Sequence, residues 1–359
     1  MKERTRREFL KDGLAVTAGV VASGVLGNTG TVCSAKSTGD GKMFSPLDTT
    51  KKKRSNIMLI ITDQQRQAQH WPTGWIEEHM PTMARLQRNG VTFTNNFTAA
   101  TACSPSRATF LTGVYPSVHG LQNTPPNPPL RSDITNMFKL AEQAGYEVAY
   151  KGKMHLFTPQ GTPSPDSFSS YDIKWVSDHY RANRWNPPDS ALDPGGDVWI
   201  AGGWPNNDAR YVSGVPDTFN RMTPAVGGGE TILEYLDKHN PKSDKPFLLV
   251  CSFGNPHDIS VWPDQEKWGY DKADYVKLKE INLPSNYNDD LKEKPVAQKE
   301  FQKLTDKTDP CPGTQDRIEY CRFYAHLHTV VDRQIAAVLD KLDEKGLTDD
   351  TVIFRFADH

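Results

Sequence analysis

A short run of residues combines a nucleophilic atom with a fixed positive charge. Residues 103–107 read Cys-Ser-Pro-Ser-Arg, and Gly113 follows. Pro105 suits the first turn of a helix, because the N–H group that proline lacks would have no partner within the helix there. Gly113 is suited to end the helix. We therefore predict a helix that begins near Cys103, where free N–H groups favour an anion, and Arg107 lies one turn later. This pattern indicates a nucleophile for an anionic ester; the alternative is a buried structural cysteine.

Two predicted strands are each followed by polar residues that could bind a ligand. The apolar run 56–61 is typical of a parallel strand buried on both faces, and it is followed by Asp63 and Gln64. Their oxygen atoms suit Ca²⁺ or Mg²⁺, although a polar turn is the alternative. Lys153 and His155 follow the predicted strand 146–150, and their alternation in an extended segment would direct both side chains into one pocket. The alternative for these two residues is a solvated loop. Ligands bind at this carboxyl edge in open α/β sheets.

The remaining periodic segments supply the elements that must position these residues. Strands are predicted at 91–97, 246–253 and 351–356, and helices at 80–90, 133–145, 230–239 and 320–345. Residues 158–226 have little periodicity and many Pro and Gly residues, so they are predicted to form long loops. Strands that alternate with helices predict an α/β fold with a mostly parallel sheet.

Several motifs, in the same order along the chain, resemble those of the sulfatase family. Residues 103–113 match Cys/Ser-x-Pro-x-Arg followed by Thr-Gly, and residues 153–155 match a Lys-x-His pair. Pro256-His257 follows one predicted strand, and Asp358-His359 follows the last. The resemblance extends from about Asn56 to the last residue and implies an alkaline-phosphatase-like mixed sheet, mostly parallel, with helices on both faces.

The resemblance also implies a cofactor and a role for each residue. Cys103 would be oxidised to formylglycine, an aldehyde whose hydrate is the nucleophile. One divalent cation, Ca²⁺ in preference to Mg²⁺ or Mn²⁺, would be bound at the Cys103 derivative. Arg107 and Lys153 would balance charge, while His155 would transfer a proton and His257 would contact the leaving oxygen. The implied protein ligands of the cation are Asp63, Gln64, Asp358 and His359.

The N-terminal segment resembles an export signal. Arg6 and Arg7 form a twin-arginine pattern ahead of a weakly apolar run, so residues 1–35 are predicted to be a twin-arginine signal peptide and 36–54 a polar linker. Residues 55–359 would then form the catalytic domain. The family's C-terminal subdomain has no counterpart, so we expect a truncated chain. The implied partners are the twin-arginine translocase and a formylglycine-generating or anaerobic sulfatase-maturating enzyme, and the implied location is periplasmic or extracellular.

Composition excludes some functions. The net charge is −2 over 359 residues, with no basic surplus that indicates nucleic-acid binding. No apolar stretch reaches the ~20 residues of a membrane-spanning helix. Cys251 lies in an apolar run and is predicted to be a core thiol, whereas Cys311 and Cys321 are candidates for a local disulfide in an exported protein.

Three functions agree with these observations. The first is hydrolysis of a sulfate monoester of a sulfated small molecule or saccharide. The second is hydrolysis of a phosphonate or phosphate monoester by the same machinery, because Gln64 in place of a second Asp lowers the negative charge of the metal site. The third is an inactive fragment that at most binds anions.

Overall fold

The computed structural model describes residues 54–68, 70–124, 128–157, 170–185, 191–192, 199–200, 230–305 and 309–359. The predicted signal peptide and all of the predicted linker except residue 54 lie outside these ranges. The strands are β1 Asn56–Thr62, β2 Glu147–Gly152, β3 Ala191–Leu192, β4 Trp199–Ile200, β5 Phe247–Ser252 and β6 Thr351–Ala357. The helices are α1 Trp75–His79, α2 Pro81–Asn89, α3 Cys103–Thr112, α4 Pro116–His119, α5 Met137–Gln143, α6 Ser170–Tyr180, α7 Ile232–Lys238, α8 Lys272–Val276, α9 Val296–Thr305 and α10 Thr314–Glu344. Short 3₁₀ helices cover His257–Val261, Gln265–Trp268 and Thr348–Asp350.

The main sheet is parallel. Its strand order is β2-β5-β1-β6, and β3 pairs with β4 in a separate antiparallel ladder. Alternate residues of β1 belong to two different apolar clusters, Leu59 and Ile61 to one and Met58 and Ile60 to the other. Because successive side chains of a strand point to opposite faces, both faces of β1 are covered, as its continuous apolar run predicted.

Helices form a layer on each face. On one face α3, α5 and α6 contribute Ala108, Phe138 and Val176 to the apolar cluster. On the other face α7 and α10 contribute Ile232 and Val331. These layers bury β1, β2 and β5, whereas Val352 and Phe354 of the edge strand β6 are 46% and 51% exposed. Together the layers confirm the predicted α/β class with helices on both faces. Within the described ranges, no helix combines the length and the apolar character needed to cross a membrane.

The predicted strand at 91–97 is wrong. These residues are irregular, and Val91, Phe93 and Phe97 are 68%, 79% and 86% exposed. A strand needs a neighbour to accept and donate its backbone hydrogen bonds. Among the described residues, no strand pairs with this segment. The alternation of apolar and polar residues was therefore insufficient, because it carries no information about a pairing partner.

The predicted disulfide is also wrong, because Cys311 and Cys321 are both free thiols. Cys311 lies before α10, whereas Cys321 lies seven residues inside it. A spacing of ten residues that crosses the start of a helix does not by itself bring two thiols within bonding distance. The Cα atoms of a disulfide normally lie within about 7 Å. Cys251, by contrast, is a fully buried core thiol as predicted.

The loops predicted for 158–226 contain a helix. Helix α6 places Val176 and Tyr180 in the core, and Trp175 packs against the same cluster. Tertiary packing therefore stabilises a helix whose sequence has weak periodicity. Trp185 is also buried, which agrees with a packing role for this tryptophan. Most other residues of this segment lie outside the described ranges.

A buried aspartate joins two helices on the α10 side of the sheet. Asp332, in α10, accepts hydrogen bonds from the backbone N–H groups of Thr82 and Met83, both at 2.9 Å. These amides lie in the first turn of α2, where backbone donors have no partner within the helix. The side chain from α10 therefore caps α2 and fixes the position of that helix.

We expect Asp332→Ala to lower the free energy of unfolding by about 1–3 kcal/mol, because it leaves buried N–H groups without acceptors. Urea denaturation measures this change. Asp340→Ala, at an exposed position of the same helix, is the matched control and should leave the midpoint unchanged. Equal stability of the two variants would contradict the capping role.

Candidate active site

Polar side chains converge at the carboxyl edge of the parallel sheet. Asp63 follows β1, and Asp358 follows the neighbouring strand β6, with its backbone N–H donating to Thr62 O at 3.0 Å. Lys153 follows β2 and donates its backbone N–H to Ser252 O, also at 3.0 Å. The parallel order thus brings together residues that are up to 295 positions apart (63 and 358).

The N-terminus of α3 presents the cysteine to this edge. Cys103 is the first residue of the helix, preceded by Ala102 in an extended conformation, and it is 5% exposed. Gly113 ends the helix with φ +73° and donates its N–H to Thr109 O at 2.8 Å. The predicted helix and its glycine end are therefore confirmed. Cys103 Sγ lies 3.2 Å from His359 Nε2 and 3.8 Å from Asp63 Oδ1.

The Arg107 guanidinium binds both carboxylates at once. Its Nε donates to Asp358 Oδ2 at 2.8 Å, and one terminal nitrogen donates to Asp63 Oδ2 at 3.0 Å. The other terminal nitrogen donates to Lys153 O at 2.7 Å and Ser252 Oγ at 2.8 Å. Burial lowers the pKa of Arg107, but Asp358 and Asp63 outweigh it and raise the pKa above its ordinary value. This side chain is therefore a permanent buried cation that fixes the geometry of the edge.

The two oxygens of Asp63 have different surroundings. Oδ2 pairs with Arg107 and lies 2.6 Å from Lys153 Nζ, as an ion pair without hydrogen-bond alignment. Oδ1 lies 4.0 Å from His257 Nε2 and 3.6 Å from His359 Nε2. Burial by itself would raise the pKa of Asp63, but the positive charge of Lys153 and the surrounding donors hold it well below its ordinary range. Asp63 is therefore a carboxylate with one oxygen directed to the cysteine.

The two carboxylate oxygens of Asp358 also have different partners. Its Oδ2 accepts from Arg107, while Oδ1 accepts the backbone N–H groups of Gln64 at 3.1 Å and His359 at 2.8 Å. Burial and the neighbouring charge of Asp63 raise the pKa of Asp358 to about 6. Two buried carboxylates therefore share the positive charge of one arginine, and each negative charge disfavours ionisation of the other carboxyl group.

The three histidines of the site differ in charge. Burial, followed by the charge of Lys153, holds the pKa of His155 well below its ordinary value and lowers that of His257 to about 4. For His359 burial also lowers the pKa, but hydrogen bonds with Asp63 and Cys103 outweigh it and raise the pKa to about 10. At pH 7 the substrate-free site therefore has neutral imidazoles at positions 155 and 257.

Asp63, Cys103, Asp358 and His359 form a cluster with the chemistry of a cation site. One potential ligand atom from each residue lies within 4.8 Å of the others. Each of the two carboxylates directs its Oδ2 to Arg107 and has its Oδ1 on the other side. Carboxylate oxygens are the preferred ligands of hard divalent cations. The residues present therefore fit a divalent cation, and the adjacent backbone of Gln64 is bonded to this group, while its side-chain oxygen remains a predicted ligand.

Sequence reasoning did not identify the residues that support the site. Ser252 Oγ and Tyr150 Oη both donate to Lys153 O, at 2.6 Å each, so this carbonyl accepts from two side chains besides Arg107. Ser252 is the last residue of β5 and Tyr150 lies inside β2. In the sequence, the local indication of such a role was the hydroxyl of Ser252 at the end of a predicted strand. The carbonyl to which this hydroxyl donates is determined by how the strands pair.

Comparison with known proteins identifies relatives of this chain. The family model described as Sulfatase matches residues 55–359. The chain is 23% identical over 320 residues to a choline-sulfatase of Rhizobium meliloti (strain 1021), covering 85% of this chain and 57% of the relative. It is 26% identical over 311 residues to an ulvan-active sulfatase of Formosa agariphila, covering 85% of this chain and 50% of the relative.

A solved structure shares the fold. A 2-O GAG sulfatase superposes with a TM-score of 0.56 at 17% identity, covering 86% of this chain and 58% of the other. The chain thus spans about half the length of the curated relatives described above. The family model nevertheless covers most of this chain, including every residue of the site. The chain therefore belongs to the sulfatase family.

Proposed function

We propose that this chain hydrolyses sulfate monoesters at the carboxyl edge of its sheet, with Cys103 oxidised to formylglycine as the source of the nucleophile. The observation that carries this proposal is the position of the Cys103 thiol, 3.8 Å from Asp63 Oδ1 and 3.2 Å from His359 Nε2 at a helix N-terminus. Membership of the sulfatase family supports the same chemistry.

A divalent cation would be held by Asp63, Gln64, Asp358 and His359, with Ca²⁺ preferred over Mg²⁺ or Mn²⁺. When bound, the cation polarises sulfate oxygens, and formylglycine supplies a hydroxyl nucleophile. Arg107 keeps both carboxylates ionised and in place. Lys153 Nζ lies 2.6 Å from Asp63 and would bind a sulfate oxygen in addition, since its charge survives burial.

The histidines would move the protons. A hydroxyl of hydrated formylglycine would form a new bond to sulfur as the S–O bond to the alcohol breaks. The leaving oxygen then needs a proton, for which His257 is the proposed donor. His257 is neutral at pH 7 in the substrate-free site, but a sulfate anion beside the ring would raise its pKa. Sulfate would leave by cleavage of the C–O bond of the resulting ester as the second hydroxyl of the hydrate loses its proton. This step restores the aldehyde, which water then hydrates again. His155 is the proposed acceptor of the proton from the second hydroxyl.

The proposed substrate is a sulfated saccharide or aryl alcohol. The similarity to an ulvan-active sulfatase supports a carbohydrate, whereas the similarity to a choline-sulfatase supports a small sulfated alcohol. The N-terminal Arg6-Arg7 pattern supports export through the twin-arginine translocase to the periplasm or exterior. A formylglycine-generating or anaerobic sulfatase-maturating enzyme would act on Cys103 before export.

Hydrolysis of a phosphonate or phosphate monoester is the second candidate, favoured by the neutral Gln64 at the metal site.

We expect kcat/KM for 4-nitrophenyl sulfate to exceed that for 4-nitrophenyl phenylphosphonate by at least about tenfold. A sulfate monoester offers three free oxygens to Lys153 and the cation, whereas the phosphonate ester offers two. Release of nitrophenol from both esters measures this, with a mock purification as the control. Faster phosphonate cleavage would reverse the assignment.

A further inference from the structure

The turn that follows β1 is bonded to the distant helix α10. Tyr324 Oη donates to Gln64 O and accepts the backbone N–H of Arg66 at 3.0 Å. One phenol therefore bridges two backbone groups of the turn that carries Asp63 and Gln64. The two partners lie 260 and 258 positions away from Tyr324 along the chain.

This turn contains a strained residue. Gln64 has φ +59°, in the left-handed region that a side chain with a Cβ disfavours by about 1–2 kcal/mol. Its N–H donates to Asp358 Oδ1 at 3.1 Å, and its carbonyl accepts from Tyr324. The residue is thus held from both sides, by a carboxylate of the site and by the phenol of α10. Such backbone conformations persist only where the surroundings determine them.

The phenol itself is fixed by packing. The Tyr324 ring meets the His328 ring edge-on with centroids 4.5 Å apart, and Trp71 packs on His328 at 4.7 Å. Burial raises the pKa of Tyr324 to about 12, so its hydroxyl keeps its proton and remains a donor at neutral pH. Tyr324 therefore presents a fixed donor and acceptor to the turn.

We propose that Tyr324 is a positioning residue for the metal-binding turn: its hydroxyl holds Gln64 in the left-handed conformation and thereby sets the geometry of the Asp63–Gln64 cation ligands. This inference rests on the cation site of the proposed function. It adds a residue of α10 that acts through the backbone of Gln64 and Arg66. Partners of this kind typically change metal affinity by about 10–100-fold when they are removed.

The test is Ca²⁺ binding to Tyr324→Phe, measured by titration calorimetry on the complete chain. We expect Kd to rise by about tenfold, because the ring is kept and only the two hydrogen bonds are lost. Tyr320→Phe, one turn earlier in the same helix, is the matched control, because its ring packs on Trp262 at 6.0 Å instead. This control should bind Ca²⁺ like the wild type.

A second measurement separates positioning from general stability. Amide exchange of a peptide that covers residues 63–67 should accelerate in the Ca²⁺-free Tyr324→Phe protein, while peptides of β5 keep wild-type protection. Unchanged Kd and unchanged exchange in this peptide would overturn the inference, and so would a wild-type protein that binds no divalent cation. A tenfold loss of affinity in a protein that cleaves no sulfate ester would support the inference and refute the proposed function instead.

Discussion

Cys103→Ala should abolish hydrolysis of 4-nitrophenyl sulfate, with a loss of at least about 10⁴-fold in kcat, because the variant has no atom that can become the nucleophile. Cys103→Ser should fail as well, since a serine that is not oxidised lacks the aldehyde. The measurement is turnover of the purified variants beside the wild type. Thermal denaturation must accompany it, because Cys103 is buried at the start of α3.

Cys321→Ala is the control, because this thiol is free and partly buried but lies in α10. It should retain near wild-type activity. Mass spectrometry of the peptide that contains Cys103 adds an independent readout: conversion removes one sulfur and two hydrogens and adds one oxygen. Full activity in Cys103→Ala, or an intact thiol in a fully active wild type, would refute the proposed chemistry. An intact thiol in an inactive wild type would favour a fragment that at most binds anions.

Arg107→Ala should have the largest effect on stability. The guanidinium is 1% exposed and binds Asp63 and Asp358, so its removal leaves two buried carboxylates with less compensation. Removal of one partner of a buried ion pair typically costs about 3–5 kcal/mol of unfolding free energy. Turnover should be lost too. Urea denaturation in the presence of EDTA measures the change in stability without a contribution from bound metal.

Two further variants show what the arginine contributes. Arg107→Lys keeps the positive charge but cannot reproduce the guanidinium fork that bonds to Asp358, Asp63 and Lys153 O together, so it should recover only part of the stability. Arg131→Ala removes an exposed arginine that pairs with Asp133 and should leave the denaturation midpoint unchanged. If Arg107→Ala were as stable as Arg131→Ala, the proposed charge compensation would be wrong.

Local pattern predicted much of the fold. The predicted segments match β1, β2, β5 and β6 to within about two residues. For β1, β2 and β5 the reason is that strands buried on both faces need mostly apolar sequence. The same reasoning was wrong at 91–97, where exposed Phe93 and Phe97 lie in irregular backbone. Apolar alternation identifies a segment that can pair, but pairing depends on a neighbour that the segment does not contain.

The candidate site, like the fold, was predicted only in part from the sequence. Sequence patterns and the family resemblance identified the residue types, and the structure brings Asp63, Cys103, Asp358 and His359 within 4.8 Å. The patterns and the resemblance did not indicate that Arg107 would donate to both carboxylates. They also did not indicate that Ser252 and Tyr150 would donate to Lys153 O. Each of these contacts joins different elements, and a change in strand register or helix rotation would break it.

The sequence by itself determined the α/β class, the segments that form the strands of the main sheet and the Cys-to-Arg motif, because each follows from neighbours within a few residues. Only the tertiary structure decided that Cys311 and Cys321 stay reduced and that Tyr324 bonds to the turn at Gln64. The physical reason is that strand pairing and helix packing bring partners together from about 260 residues apart, and hydrogen bonds fail when such positions shift by even an ångström.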